Sequence, residues 1–273
     1  MSIWLAILLG LVQGLTEFLP VSSSGHLTLA AALFGGNVEA DYMLFFVLLH
    51  FGTLISVIIA FWKDIVELIT EFIGMCKDGF KIRRRPYRRF IAALVFSMLP
   101  MFIMVFFKSK LEAVFDSTLA VGCFLLLTAL LLFLSDRLPS GKKEMDRVSP
   151  LDGLIVGLFQ CVALLPGVSR SGTTMVGGLT RGFSRDFALR FAFIMSLPVI
   201  LGANVLEVAD ALTATTPNPV PLYCYIIGMA VAAVSGILAI RLVKLVSNRG
   251  NFKPFSIYCA AVGVITIIVS LVK

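Results

Sequence analysis

The sequence predicts an all-α integral membrane protein, with six transmembrane helices plus two re-entrant helical hairpins arranged as an inverted-topology repeat. Three observations lead there. Of 273 residues, 59% are hydrophobic and 14% charged, and the mean hydropathy is +0.98. A soluble core of this length cannot bury so much apolar surface, so lipid must solvate most of it. Six apolar stretches are long enough to cross about 30 Å of hydrocarbon. Two more are interrupted by Pro, Ser and Gly, and these two resemble each other.

In chain order, the first interrupted stretch runs from Ile3 to Phe34. Met1 to Leu19 has no basic leader, and Gln13 and Glu17 break its apolar run before Pro20, so this segment is expected to stay in the mature protein. Spans follow at roughly Asp41 to Trp62, Phe90 to Phe107 and Thr118 to Ser135. The second interrupted stretch, Leu151 to Thr180, precedes spans at Phe187 to Leu206, Leu222 to Leu242 and Phe255 to Val272. Non-helical backbone at membrane depth is tolerated only where protein or a watery cavity surrounds it, so both interruptions predict re-entrant hairpins and mark a site.

The formal charge of +7 would suggest nucleic acid in a soluble protein, but here the basic residues lie between apolar runs. Lys63 to Arg89 (with Lys81, Arg83, Arg84, Arg85, Arg88 and Arg89), Asp136 to Arg147, Arg181 with Arg185 and Arg190, and Lys244 to Lys253 are basic. Glu207 to Pro219 carries no positive charge. This pattern places the basic segments in the cytoplasm and predicts membrane lipids, not nucleic acid, as neighbours. Arg181, Arg185 and Arg190 read as headgroup anchors. The Phe and Met runs (Phe45, Phe46, Met101, Met104, Phe106, Phe107) read as packing. The five scattered cysteines read as small hydrophobes.

Sliding the chain so that Gly10 meets Gly157 also aligns Leu11, Gln13, Val21, Ser22, Ser24 and Gly25 with Leu158, Gln160, Val168, Ser169, Ser171 and Gly172. Seven identities in seventeen positions exceed the roughly one or two that residue frequencies give. The expected organisation is one membrane domain of two repeats, about 1–136 (hairpin 3–34) and about 150–273 (hairpin 151–180). Each repeat is a hairpin followed by three spans, and an odd number of crossings turns the second upside down. Two half-helix N-termini should then converge on one cavity near the midplane, a setting that suits an anion.

The polar residues of the two hairpins differ in kind. Gln13 and Glu17 share a helix face, followed by Ser22, Ser23, Ser24, Gly25 and His26 at the break. The second break holds Ser169, Arg170, Ser171, Gly172, Thr173 and Thr174, and the repeat sets Ser23 against Arg170 and His26 against Thr173. A lone charge in lipid costs at least about 2.5 to 3.5 kcal/mol, so Glu17 and Arg170 are expected to pair or to face a cavity. Arg170 offers a fork for phosphate oxygens, and Ser169, Ser171 and Thr174 with the glycine-rich backbone can surround the rest of a phosphoryl group. The first hairpin offers Ser23 as a nucleophile, His26 as a proton carrier, and Glu17 to orient that histidine or hold a divalent cation. Spacing does not choose between Ser23, His26 and water as nucleophile. His50 stands open between helix packing and a cavity role.

The runs from Gln13 to His26 (QGLTEFLPVSSSGH) and from Pro166 to Thr174 (PGVSRSGTT) resemble the two signature motifs of bacterial undecaprenyl-diphosphate phosphatases of the bacitracin-resistance type, and the resemblance covers essentially the whole chain. It implies removal of the terminal phosphate from undecaprenyl diphosphate, which returns the monophosphate that carries cell-wall precursors. It further implies Mg²⁺ or Ca²⁺, a bacterial cytoplasmic membrane, and an active site on its outer side. Carried over by position, the functional set is Glu17, Ser23, His26 and Arg170. Where the family's paired-acid motif often begins with Glu this chain has Gln13, which weakens direct metal ligation there. A polyprenyl-phosphate transporter or flippase is the rival reading, since carriers share this architecture, and a homodimer is one assembly left open.

Overall fold

The computed structural model describes residues 1–34, 42–82, 85–104, 106, 114, 117–213 and 220–272. Among these it is all-helical, with eleven helices: α1 (Ile3–Phe18), α2 (Ser23–Phe34), α3 (Met43–Ala60), α4 (Trp62–Lys77), α5 (Pro86–Met104), α6 (Thr118–Ser135), α7 (Pro150–Val162), α8 (Arg170–Thr180), α9 (Arg185–Thr213), α10 (Leu222–Arg249) and α11 (Lys253–Val272). Arg83, Arg84, Phe107 and residues 214–219 of the uncharged-to-acidic segment lie outside the described residues.

Local sequence sets several helix starts. Ser2 caps α1 and Ser117 caps α6. Ser149 and Asp152 form a reciprocal capping box with Pro150 in the first turn of α7. Among the described residues four helices, α5, α6, α10 and α11, are long and apolar enough to cross a membrane, and a fifth span arises if α3 and α4 are counted as one bent pair. Large apolar side chains such as Trp4, Phe102, Leu222 and Ile268 face outward, the arrangement expected when lipid covers the outside.

The region from Lys63 to Arg89 differs from its reading as a basic connecting segment, because most of it is helix α4, turned 84° from α3 at Phe61. Trp62, Val66, Ile69 and Ile73 recur at helical spacing and are exposed, while Lys63, Asp64, Glu67 and Glu71 fill the positions between. The helix is fastened from below. Arg88, almost wholly buried, reaches Glu71 at 2.7 Å and Asp78 at 2.9 Å. Arg181, Arg185 and Arg190 likewise bind protein acceptors, namely Asp152, the carbonyls of Ser135 and Leu138, and Asp64. Their heads are committed to holding helices together rather than left wholly for lipid.

In the bundle, α1 lies along α10, α7 along α5 and α6 along α11, with α3 also on α10 and α8 wedged between α6, α7 and α9. The α1–α10 contact is close because Gly10 meets the backbone of Gly228. A core of aromatics in tilted and edge-to-face contact, Phe90, Phe183, Phe187 and Phe191, ties α5 to α9.

Candidate active site

Each interrupted stretch folds as two helices around a non-helical corner, and the corners are built alike. Pro20 follows the end of α1, and Ser22 then adopts a left-handed φ of 70° that restarts the chain as α2. In the second stretch Pro166 is followed by Gly167 at φ 98°, and α8 starts at Arg170. The starts of α2 and α8, Ser23 and Arg170, are the residues that the repeat aligns. Ser22 Oγ accepts from Gly25 N at 3.2 Å and lies 3.3 Å from Ser24 Oγ. Ser169 Oγ accepts from Gly172 N at 3.3 Å and lies 3.3 Å from Ser171 Oγ. Thr128 of α6 steadies the second corner, donating to Gly167 O at 2.8 Å and accepting from Ser169 N at 2.9 Å.

The corners touch. A methyl group added at Gly25 would stand 3.1 Å from Gly167 Cα, tighter than ordinary van der Waals contact. Gly167 is required by its φ of 98° and by Val121 O of α6, which would lie 2.5 Å from an added methyl, while the missing side chain of Gly25 lets the two helix N-termini come so close. Their first residues consequently share one cavity of about 390 Å³, lined by Glu17, Ser22, Ser23, Ser24, Ser169 and Arg170. Its apolar side includes Met101, Val199 and Ile200.

The charged pair joins the hairpins. Arg170 Nη2 donates to Glu17 Oε1 in an ion pair in which the glutamate side chain is almost fully buried and the arginine side chain is 25% exposed. Glu17 Oε2 accepts from Ser23 Oγ at 2.8 Å and from Gln13 Nε2 at 3.0 Å. Of the two roles open to Glu17, orienting His26 or holding a cation, the structure does not show the first. His26 turns away, its Nδ1 2.8 Å from Ser22 O and its Nε2 2.7 Å from Tyr258 Oη, with the two rings stacked. The imidazole near Glu17 is that of His50, at 3.8 Å, which lines the cavity and is held by Phe46 O at 2.9 Å from Nδ1.

The remaining residues singled out on α8 are placed less uniformly. Thr174 Oγ1 donates to its own helix at Arg170 O, 2.7 Å away. Thr173 is buried with its hydroxyl unpaired, and Ser171 and Gly172 pack within the first turn. None of these four lines the cavity, whereas Gln160 and Asn204, which the sequence reading passed over, do. The signal for Gln160 was present, since the repeat pairs it with Gln13. Asn204 was hidden inside a long apolar run.

Among the described residues no three His, Cys, Asp or Glu side chains gather as a metal site. Gln13 Oε1 is nevertheless buried without a hydrogen-bond partner beside Glu17. One carboxylate and one amide oxygen fit a hard divalent cation that takes most of its ligands from phosphate and water, and do not fit an all-protein cage.

Residues 6–265 match the family model described as Bacitracin resistance protein BacA. The undecaprenyl-diphosphatase of Alkaliphilus metalliredigens is 41% identical, over 99% of this chain and 100% of the relative. That of Methanosphaera stadtmanae is 39% identical over 98% of each chain. That of Thermosipho africanus is 40% identical over 96% of this chain and 98% of its own. A match of this length, falling on both interrupted stretches and every helix between them, means that the chain belongs to the bacitracin resistance protein BacA family.

Proposed function

We propose that the protein hydrolyses undecaprenyl diphosphate to undecaprenyl phosphate and inorganic phosphate, recycling the carrier lipid of cell-wall synthesis. The full-length relatives named as undecaprenyl-diphosphatases support the reaction. The observation that carries the assignment to a site is the contact between hairpins: Arg170 and Ser23, at equivalent helix starts, meet on the two oxygens of Glu17. A guanidinium for phosphate oxygens and a hydroxyl held by a carboxylate are what phosphoryl transfer requires. A carrier has no need for Ser23 to donate to a buried carboxylate, so hydrolysis is the reading that accounts for the whole arrangement.

In this reading Arg170 binds the diphosphate through donors other than the Nη2 engaged by Glu17, helped by Ser22, Ser24 and Ser169. Ser23 Oγ attacks the terminal phosphorus as Glu17 takes its proton. The bond from that phosphorus to the bridging oxygen breaks, and undecaprenyl phosphate leaves with the oxygen. Glu17 passes that proton to the departing lipid phosphate, then takes one from a water that attacks the phosphoserine; the P–Oγ bond breaks, inorganic phosphate leaves, and the proton returns to Ser23 Oγ. Ser23 is favoured over His26 as nucleophile because His26 Nε2 is bonded to Tyr258. Mg²⁺ or Ca²⁺, entering with the diphosphate, would neutralise its charge beside Glu17 and Gln13 Oε1.

The same reading takes α3, α5, α6, α9, α10 and α11 as six spans and α1–α2 and α7–α8 as re-entrant hairpins of two inverted repeats within one domain. Reciprocal packing supports it. α1 lies on α10 and α7 on α5, so each hairpin rests on a span of the other repeat. With the basic segments cytoplasmic, the cavity faces the outer side of the bacterial inner membrane, and Met101, Val199 and Ile200 adjoin the start of the prenyl tail. Phosphate release from a polyprenyl diphosphate by the detergent-purified protein, with and without chelator, is the test. An inactive wild type in both conditions rejects the enzyme.

A further inference from the structure

Gln13 and Gln160 hold the same place in the two related helices, and one residue separates their fates. Gln13 Nε2 donates to Glu17 Oε2 at 3.0 Å, one turn further along α1. One turn beyond Gln160 stands Leu164, which accepts nothing. Gln160 is 1% exposed, lines the cavity, and has no hydrogen-bond partner at either Nε2 or Oε1.

Asn204 on α9 lines the same cavity and is also buried. Its Nδ2 donates to Ile200 O at 2.8 Å. A carbonyl can only accept, so this bond fixes which way the amide faces. Asn204 Oδ1, without a partner, is left as a bare acceptor. Buried polar groups are nearly always paired in folded proteins. Three unpaired amide atoms, Gln160 Nε2 and Oε1 and Asn204 Oδ1, on residues that line one cavity with Arg170 therefore point to a ligand with matching groups.

The inventory of those groups is selective. Arg170 and the serine hydroxyls can grip any tetrahedral oxyanion, but Gln160 Oε1 and Asn204 Oδ1 can only accept. An oxyanion without a proton has nothing to donate to these two oxygens, so only Gln160 Nε2 is left to offset their repulsion. A phosphate retains a proton near neutral pH, so it can donate a P–OH while its other oxygens accept from Gln160 Nε2 and Arg170. Sulfate, of the same shape, cannot.

We propose that Gln160 and Asn204 form a subsite for a protonated phosphate group, filled in turnover by the inorganic phosphate that hydrolysis releases. Its place in turnover rests on the phosphatase reading; its selectivity does not. The subsite completes the cavity's division of labour. Arg170 supplies affinity for charge, and the two amides distinguish phosphate from other oxyanions.

The test is calorimetric titration of the full-length protein in detergent with sodium phosphate and with sodium sulfate at neutral pH, no lipid substrate being added. Phosphate should bind at least tenfold tighter than sulfate. Asn204→Leu, and separately the near-isosteric Gln160→Met, should each bring the two ions to within about threefold, with thermal unfolding confirming that the variants remain folded. Arg170→Ala should weaken both ions alike. A short-chain prenyl monophosphate forms a second arm: if it loses as much affinity as free phosphate in Asn204→Leu, the subsite takes the lipid-borne phosphate as well. Equal affinities of wild type for phosphate and sulfate, no binding of either ion, or an unchanged ratio in both variants would overturn the proposal. Selective phosphate binding by a protein that releases none from polyprenyl diphosphate would instead reject the phosphatase reading and leave the subsite standing.

Discussion

The two helix corners share a framework and divide the chemistry. Ser22 and Ser169 cap α2 and α8 through the same backbone position, and Ser24 and Ser171 stand at the same 3.3 Å from their capping hydroxyls. The differences that carry chemistry lie at three of the unmatched positions: Glu17 against Leu164, Ser23 against Arg170, and His26 against Thr173. The first corner carries the carboxylate and the hydroxyl, the second the guanidinium. The two similarly built corners bring two helix N-termini together, and each side supplies a single half of an ion pair. Neither half can stay in lipid alone without cost, so the contact that forms the site also locks the hairpins together.

Breaking that contact should give the largest effect. We expect Glu17→Gln and Arg170→Ala each to lower phosphate release from polyprenyl diphosphate by about a hundredfold or more, as when a charge-stabilising group is removed. The double variant should lose little beyond the worse single variant, because residues acting as one unit are not additive. Multiplicative losses would show that the two charges work separately. Ser23→Ala should fall almost as far while its thermal stability in detergent stays near wild type, since Ser23 is the hydroxyl whose partner is Glu17 and Ser22 supplies the cap.

The shared framework predicts a smaller and symmetric pair of effects. Ser22→Ala and Ser169→Ala each remove one cap bond, so each should cost on the order of 1 kcal/mol of stability and lower activity by less than about tenfold. Unequal losses would mean that the corners are alike in shape but not in mechanics. Ser22 is the residue to watch, because it alone of the two holds a left-handed φ.

How much of this was legible in the sequence follows from which signals survive without coordinates. The all-helical, membrane-embedded class could be read because apolar length is a one-dimensional property, and both corners could be located because Pro20, Pro166 and Gly167 break helices wherever they stand. The Glu17–Arg170 contact was legible from the cost of isolated charges together with the repeat. What escaped was whatever depends on side-chain direction. His26 lies one turn beyond Ser22 and was expected near Glu17, yet α2 points it at Tyr258, a residue 232 positions away. α4 escaped because its acidic and basic residues hid an apolar stripe, and Asn204 because one amide in a long apolar helix looks like noise. The same inability to see direction assigned Thr174 to the phosphate clamp, although its hydroxyl returns to Arg170 O.

The smallest expected effects sharpen the comparison by showing where it stops. Cys161 is next to Gln160 on α7, is only partly buried and forms no disulfide. Met175 is buried at 1% exposure in α8, one turn past the residues at the cavity. Cys161→Ala removes a group with no chemical task in the cavity. Met175→Leu nearly conserves volume, a change that usually costs less than about 1.5 kcal/mol. Both variants should retain phosphate release within about twofold of wild type at equal amounts of folded protein. If they fell as far as Arg170→Ala, the losses there would report a hairpin that no longer packs, and the division of chemistry between the two corners would lose its support.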